Sequence, residues 1–87
     1  MRQEITQEQV NEGLTDFRKK MTIRLEQKGM GTLASSHEIL GIINEEVYEM
    51  EMAVHKNDLE GLQEELLDIA VGAIFGYICL KNKTVDW

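Results

Sequence analysis

Proline is absent from this chain of 87 residues, and cysteine occurs once, at Cys79. Without proline, no residue lacks the N–H that a helix interior needs. One cysteine closes no internal disulfide, so no oxidising compartment is required and a cytoplasmic location is expected. Basic residues are outnumbered, nine Lys and Arg against sixteen Asp and Glu, which leaves a net charge of −7. That balance argues against a nucleic-acid polymer as partner, because contact with a phosphate backbone needs a basic surface. Long hydrophobic runs are also lacking. The longest, Ile69 to Leu80, covers twelve residues, against roughly twenty for a membrane span. The opening stretch MRQEITQEQV has no apolar core of the kind a signal peptide needs. A single domain over residues 1–87, with no membrane partner, is the expectation.

What is present points to helices. Hydrophobic residues make up 43%, and Leu, Glu, Lys, Gln, Met and Ala favour an all-α chain. Thr6 and Gln9 fit a capping box. Val10, Leu14, Phe17, Met21 and Leu25 then form one apolar stripe on a helix over about 7–28. Gly29 is placed to end it, and GMGT makes a loop at 29–32. Ser35 and Glu38 fit a second box, opening a helix from about 36 to His55. HKND at 55–58 breaks the pattern, with Asn57 or Asp58 able to cap a third helix from Leu59 to about Leu80. From Leu66 onward that helix is apolar nearly all round, which requires burial on every side. Two other helices of one chain cannot supply that cover, so a homo-oligomer is expected.

Against this background four acids are misplaced. On a helical wheel Glu46 falls inside the apolar stripe of Ile39, Ile42, Ile43, Met50 and Ala53, Glu49 on its edge and Glu45 just outside. In the third helix Glu65 and Asp68 are three apart and share a face, and Asp68 is the one charge between Leu66 and Leu80. If the two helices fold back about residue 57, Glu46 meets Asp68 and Glu49 meets Glu65. A lone E-x-x-E is usually a solvated acidic face. Two such pairs, set in apolar stripes at matched heights, are hard to explain by solvation. Four carboxylates brought together repel one another unless some are protonated or a cation sits among them. All-oxygen ligands suit Mg²⁺ or Mn²⁺ rather than zinc, and a phosphorylated substrate often completes such a site.

The order E-E-x-x-E, fifteen residues, E-x-x-D is carried here by EEVYE at 45–49 and ELLD at 65–68. It resembles the MazG-like, all-α nucleoside triphosphate pyrophosphohydrolases over most of the chain. The resemblance implies Glu46, Glu49, Glu65 and Asp68 as metal-binding and catalytic carboxylates, with Glu45 in a supporting role. It implies Mg²⁺-dependent attack of water on the α-phosphorus of a nucleoside triphosphate, giving a monophosphate and pyrophosphate in the cleaning of a nucleotide pool. It also implies dimers or tetramers built from four-helix units. Basic residues that would grip the phosphates are scarce. Lys81 and Lys83 are the candidates, at least thirteen residues past Asp68, so they would have to act from a neighbouring subunit or through a tail that folds back.

The other conspicuous residues read more plainly. His37 belongs to the first turn of the second helix, and His55 lies at the break. No E-x-x-H pair exists, which argues against a di-iron bundle. RKK at 18–20 reads as a solvated face of the first helix. Gly29 and Gly31 lack the Lys-Ser/Thr of a phosphate loop. Gly72 and Gly76 offer a small-residue face for close packing in the oligomer. Cys79, for which no basic partner is expected nearby, reads as a buried small apolar residue rather than a nucleophile. Trp87 either stacks on a base or packs the terminus. A different class of function also accommodates these features: a non-catalytic helical oligomerisation or interaction module, in which the acids make structural bonds or hold an ion without turnover.

Overall fold

A computed structural model describes residues 1–85, so the expectation for Trp87 lies outside the described residues. Three helices account for most of it: α1 (Gln7–Lys28), α2 (Ser36–His55) and α3 (Leu59–Lys81). Among the described residues there is no strand, and no helix is long and apolar enough to cross a membrane.

The helix ends follow the local chemistry. At α1 both halves of the capping box form: Gln9 N–H donates to Thr6 Oγ1 at 3.1 Å, and Thr6 N–H donates to Gln9 Oε1 at 2.9 Å. Gly29 closes α1 with φ 79° and ψ −171°, a conformation open essentially to glycine alone. At α2 only half the expected box is made. Glu38 N–H donates to Ser35 Oγ, but the Glu38 carboxylate accepts from Ala34 N–H at 2.8 Å rather than from Ser35. At the break Asn57 takes the left-handed conformation with φ 55°. Asp58 caps α3, accepting from Gly61 N–H at 2.9 Å. Caps of this kind contribute about 1 kcal/mol each.

α3 is the central helix. It packs along α2 on one side and against α1 on another. The contacts to α2 run through the two glycines. A Cβ on Gly72 would lie 3.5 Å from Ile43, and one on Gly76 would lie 2.9 Å from Ile39. Partner numbers thus fall along α2 as they rise along α3. The small-residue face expected to serve the oligomer is used inside the chain, because the β-branched Ile39 and Ile43 need that space.

The core is thin. Among the described residues, Ala53, Val71, Phe75 and Cys79 are its buried apolar residues, and no large side chain is fully buried. No residue of α1 is buried: Phe17, Met21 and Leu25 are half-buried, while Val10 and Leu14 are exposed. α1 rests on α3 and does not pack against α2. A groove is left between α1 and α2, floored by α3.

Candidate functional site

The α2–α3 contact brings three acids together. Glu46 and Glu49 stand one turn apart on α2, and Glu65 faces them from α3. One carboxylate oxygen of each lies within 4.8 Å of the others. Glu46 and Glu65 are half-buried and Glu49 is exposed. Glu46 Oε2 and Glu65 Oε2 are buried with no hydrogen-bond donor. A buried oxygen without a donor is costly, more so when it carries charge.

The electrostatics express that cost as raised proton affinity. Glu46 is pushed above the ordinary carboxylate value, first by burial and then by the charges of Asp68, Glu49 and Glu45. Glu65 is raised by burial first, with Asp68 and Glu46 adding to it. Glu49 is raised mainly by its hydrogen bond with Glu65. Glu45 is exposed beside the trio, and its charge raises both Glu46 and Glu49.

Glu65 thus meets both Glu46 and Glu49 across the α2–α3 contact. Glu49 and Glu65 come together in the cluster, and Glu46 and Asp68 line the same groove. Asp68, one turn beyond Glu65, is turned to α1, where Lys20 Nζ lies 3.1 Å from its Oδ1. Lys20 also donates to Glu64 Oε2. These bonds, led by that to Glu64, hold the Lys20 ammonium above its ordinary pKa. Asp68 still belongs to the site: its charge acts on all three glutamates, and with Glu46 it lines the groove.

The groove encloses about 290 Å³ and is lined from α1 by Lys20, Arg24 and Lys28, and from α2 and α3 by Ile42, Glu46, Asp68, Val71 and Gly72. The reading of RKK as a solvated face is corrected here for its last member. Lys20 is half-buried and bound to two acids, because α1 turns this side to α3. Lys20, Arg24 and Glu64 are the residues sequence reasoning missed. The signal lay on the wheel. Arg24 falls within about 20° of Phe17, and Lys20 about 60° from Phe17 on the same side, so both border the apolar stripe as the misplaced acids do.

Lys81 and Lys83 are exposed, the first ending α3 and the second just beyond it. Neither lines the groove. Lys81 is about 20 Å from Asp68 along the helix axis. Cys79 is buried, as expected for an apolar role, but it is not without a basic neighbour. Burial works to raise the thiol. Hydrogen bonds with Thr32, the Leu33 backbone and Thr84, with the charge of Arg24, outweigh burial and leave it below its ordinary value. Comparison with family models, curated proteins and solved structures finds no match.

Proposed function

We propose that this protein is a Mg²⁺-dependent nucleoside triphosphate pyrophosphohydrolase of the MazG-like, all-α type, with Mn²⁺ as a substitute ion. The supporting observation is the convergence of Glu46, Glu49 and Glu65 within 4.8 Å at the head of an open groove. The donor set fits the ion. All ligands are carboxylate oxygens, two of them buried with no donor to satisfy them, and hard divalent cations take such oxygens. Glu46, Glu49 and Glu65 would hold the cation, and Asp68 would join them on release from Lys20.

In the reaction, water attacks the α-phosphorus and the bond from that phosphorus to the bridging oxygen breaks. Pyrophosphate leaves with the bridging oxygen. A carboxylate of the cluster orients the water and accepts its proton, while Glu45 adds negative field from outside. When bound, the cation neutralises the charge that develops on the departing pyrophosphate. A nucleotide-pool cleaning role in the cytoplasm follows from this reaction.

The working unit is a homo-oligomer, a dimer or tetramer in which the α2–α3 pair forms an antiparallel hairpin of a four-helix bundle. The single chain exposes 7041 Å², against roughly 5200 Å² for a compact monomer of its mass. Leu59, Leu66, Ala73, Tyr77 and Leu80 share one face of α3 at spacings of seven, seven, four and three, and all are exposed. An apolar face of this extent needs a partner.

The test is a screen of ribo-, deoxy- and damaged nucleoside triphosphates with millimolar Mg²⁺. Monophosphate and pyrophosphate are expected in equal amounts. Orthophosphate alone would sink the mechanism. The same exposed α3 face also suits the second reading, a non-catalytic oligomerisation module. It predicts that no triphosphate is turned over although the oligomer forms.

A further inference from the structure

The wall of the groove opposite the carboxylates has a chemistry of its own. Lys20, Arg24 and Lys28 follow one another at intervals of four, so their side chains stack along one side of α1, and all three line the groove. In a chain of net charge −7, three cations in file along one groove are an exception that solvation does not demand. Arg24 is held in place by Phe75, with its guanidinium carbon 3.8 Å from the ring centroid. The stacking orients the guanidinium but supplies no acceptor, and Arg24 Nη1 is buried with no hydrogen-bond partner. A buried guanidinium nitrogen without an acceptor is as costly as a carboxylate oxygen without a donor. The two acids of the groove do not relieve it, since Asp68 is bound to Lys20 and Glu46 faces Glu65.

We infer that Lys20, Arg24 and Lys28 bind the phosphate chain of the substrate, an inference that rests on the reading of the facing carboxylates as the cation site of a triphosphate hydrolase. The ligand class is a linear polyphosphate carrying a divalent cation. Arg24 presents a planar fork that matches two phosphate oxygens. Lys28 adds a point charge at the open end of the wall. Lys20 serves two partners in turn. In the free protein it neutralises Asp68 and Glu64. Freed from Asp68, the Lys20 ammonium would be available to pair with phosphate oxygens in the groove that it lines. The chain thus carries its phosphate grip on α1, and Lys81 and Lys83 are not needed for it.

Titration calorimetry of the full-length chain with tripolyphosphate and Mg²⁺ tests this, alongside separate binding of Mn²⁺ alone. Arg24→Gln should weaken tripolyphosphate binding about tenfold and Lys28→Gln about threefold, with Mn²⁺ affinity unchanged in both. A Lys81→Gln/Lys83→Gln double variant should bind like the wild type. Lys28 is exposed, so Lys28→Gln keeps the test open should Arg24→Gln fail to fold. Wild-type affinity in a folded Lys28→Gln and Arg24→Gln, or loss of binding in the Lys81/Lys83 variant, overturns the inference. If Mn²⁺ binds and tripolyphosphate does not, the phosphate wall is wrong and the cation site survives. If tripolyphosphate binds, Arg24→Gln abolishes it and Mn²⁺ does not bind, the wall survives and the cation site is wrong.

Discussion

Lys20 Nζ on α1 lies 3.1 Å from Asp68 Oδ1 on α3. The pair joins two helices and takes one acid of the site out of the carboxylate cluster. Because the groups are partly solvated, their bond contributes at most about 1 kcal/mol to stability. Its larger effect is on what Asp68 can bind. Lys20→Met frees Asp68 and removes a positive charge beside the cluster, so Mn²⁺ affinity should rise several-fold while tripolyphosphate affinity falls. Mn²⁺ binding followed by electron paramagnetic resonance reads the first effect. Unchanged or weaker Mn²⁺ binding would count against Asp68 as a ligand.

The raised carboxyls set a direction for pH dependence. Glu46, Glu49 and Glu65 hold protons more tightly in the folded chain than at their ordinary value of 4.5. Folded protein then binds more protons than unfolded protein above that pH, and stability declines as pH rises through the folded values. The cluster's contribution is whole below pH 4.5 and is lost on the alkaline side. Melting temperature without metal should fall between pH 5 and pH 7.5. A Glu46→Gln/Glu65→Gln variant should show a smaller fall and melt higher at pH 7.5. Millimolar Mg²⁺ should raise the wild type at pH 7.5 and leave the variant unmoved. A wild type that stays indifferent to Mg²⁺ contradicts the assignment.

The two glycines of α3 separate packing from propensity. At Gly76 a Cβ would meet the stiff Ile39 Cγ2 methyl at 2.9 Å. Gly76→Ala should therefore destabilise by about 1–3 kcal/mol, less the gain in helix propensity. At Gly72 the nearest atom would be 3.5 Å away, an ordinary contact, and Gly72→Ala should stabilise by up to about 1 kcal/mol. Urea titration of both variants decides. Equal effects would mean that the α2–α3 contact does not run through Ile39.

Assembly has its own test. Tyr77 and Leu80 lie on the exposed apolar face of α3 and touch neither groove nor cluster. Tyr77→Glu/Leu80→Glu should shift the chain from oligomer to monomer in analytical ultracentrifugation at micromolar concentration. A wild type that sediments as a monomer removes the oligomer from the account.

The three helices were legible because their signals are local. Thr6 with Gln9, Gly29, Ser35 and Asp58 mark ends that the backbone respects. Glu46, Glu49 and Glu65 were legible as well, because an acid inside an apolar stripe is an anomaly a wheel exposes. The partner of Asp68 was not. It depends on how α1 lies on α3, a contact between residues far apart in sequence with no turn to set its register. The same criterion that singled out Glu46 would have singled out Arg24 beside Phe17. Applied to one sign of charge alone, it left Lys20 on a solvated face and passed over Arg24. The expected use of Gly72 and Gly76 failed for a related reason: a small-residue face shows that something approaches closely, not whether it comes from the same chain.

The central claim is that Glu46, Glu49, Glu65 and Asp68 support attack of water on the α-phosphorus. Hydrolysis of a nucleoside triphosphate in heavy-oxygen water with Mg²⁺, followed by phosphorus NMR, tests it directly. The account predicts that the heavy oxygen enters the nucleoside monophosphate, that pyrophosphate is released unlabelled, and that Asp68→Asn retains its fold while losing at least about a hundredfold in rate. Label in the pyrophosphate, or full activity in Asp68→Asn, would contradict it.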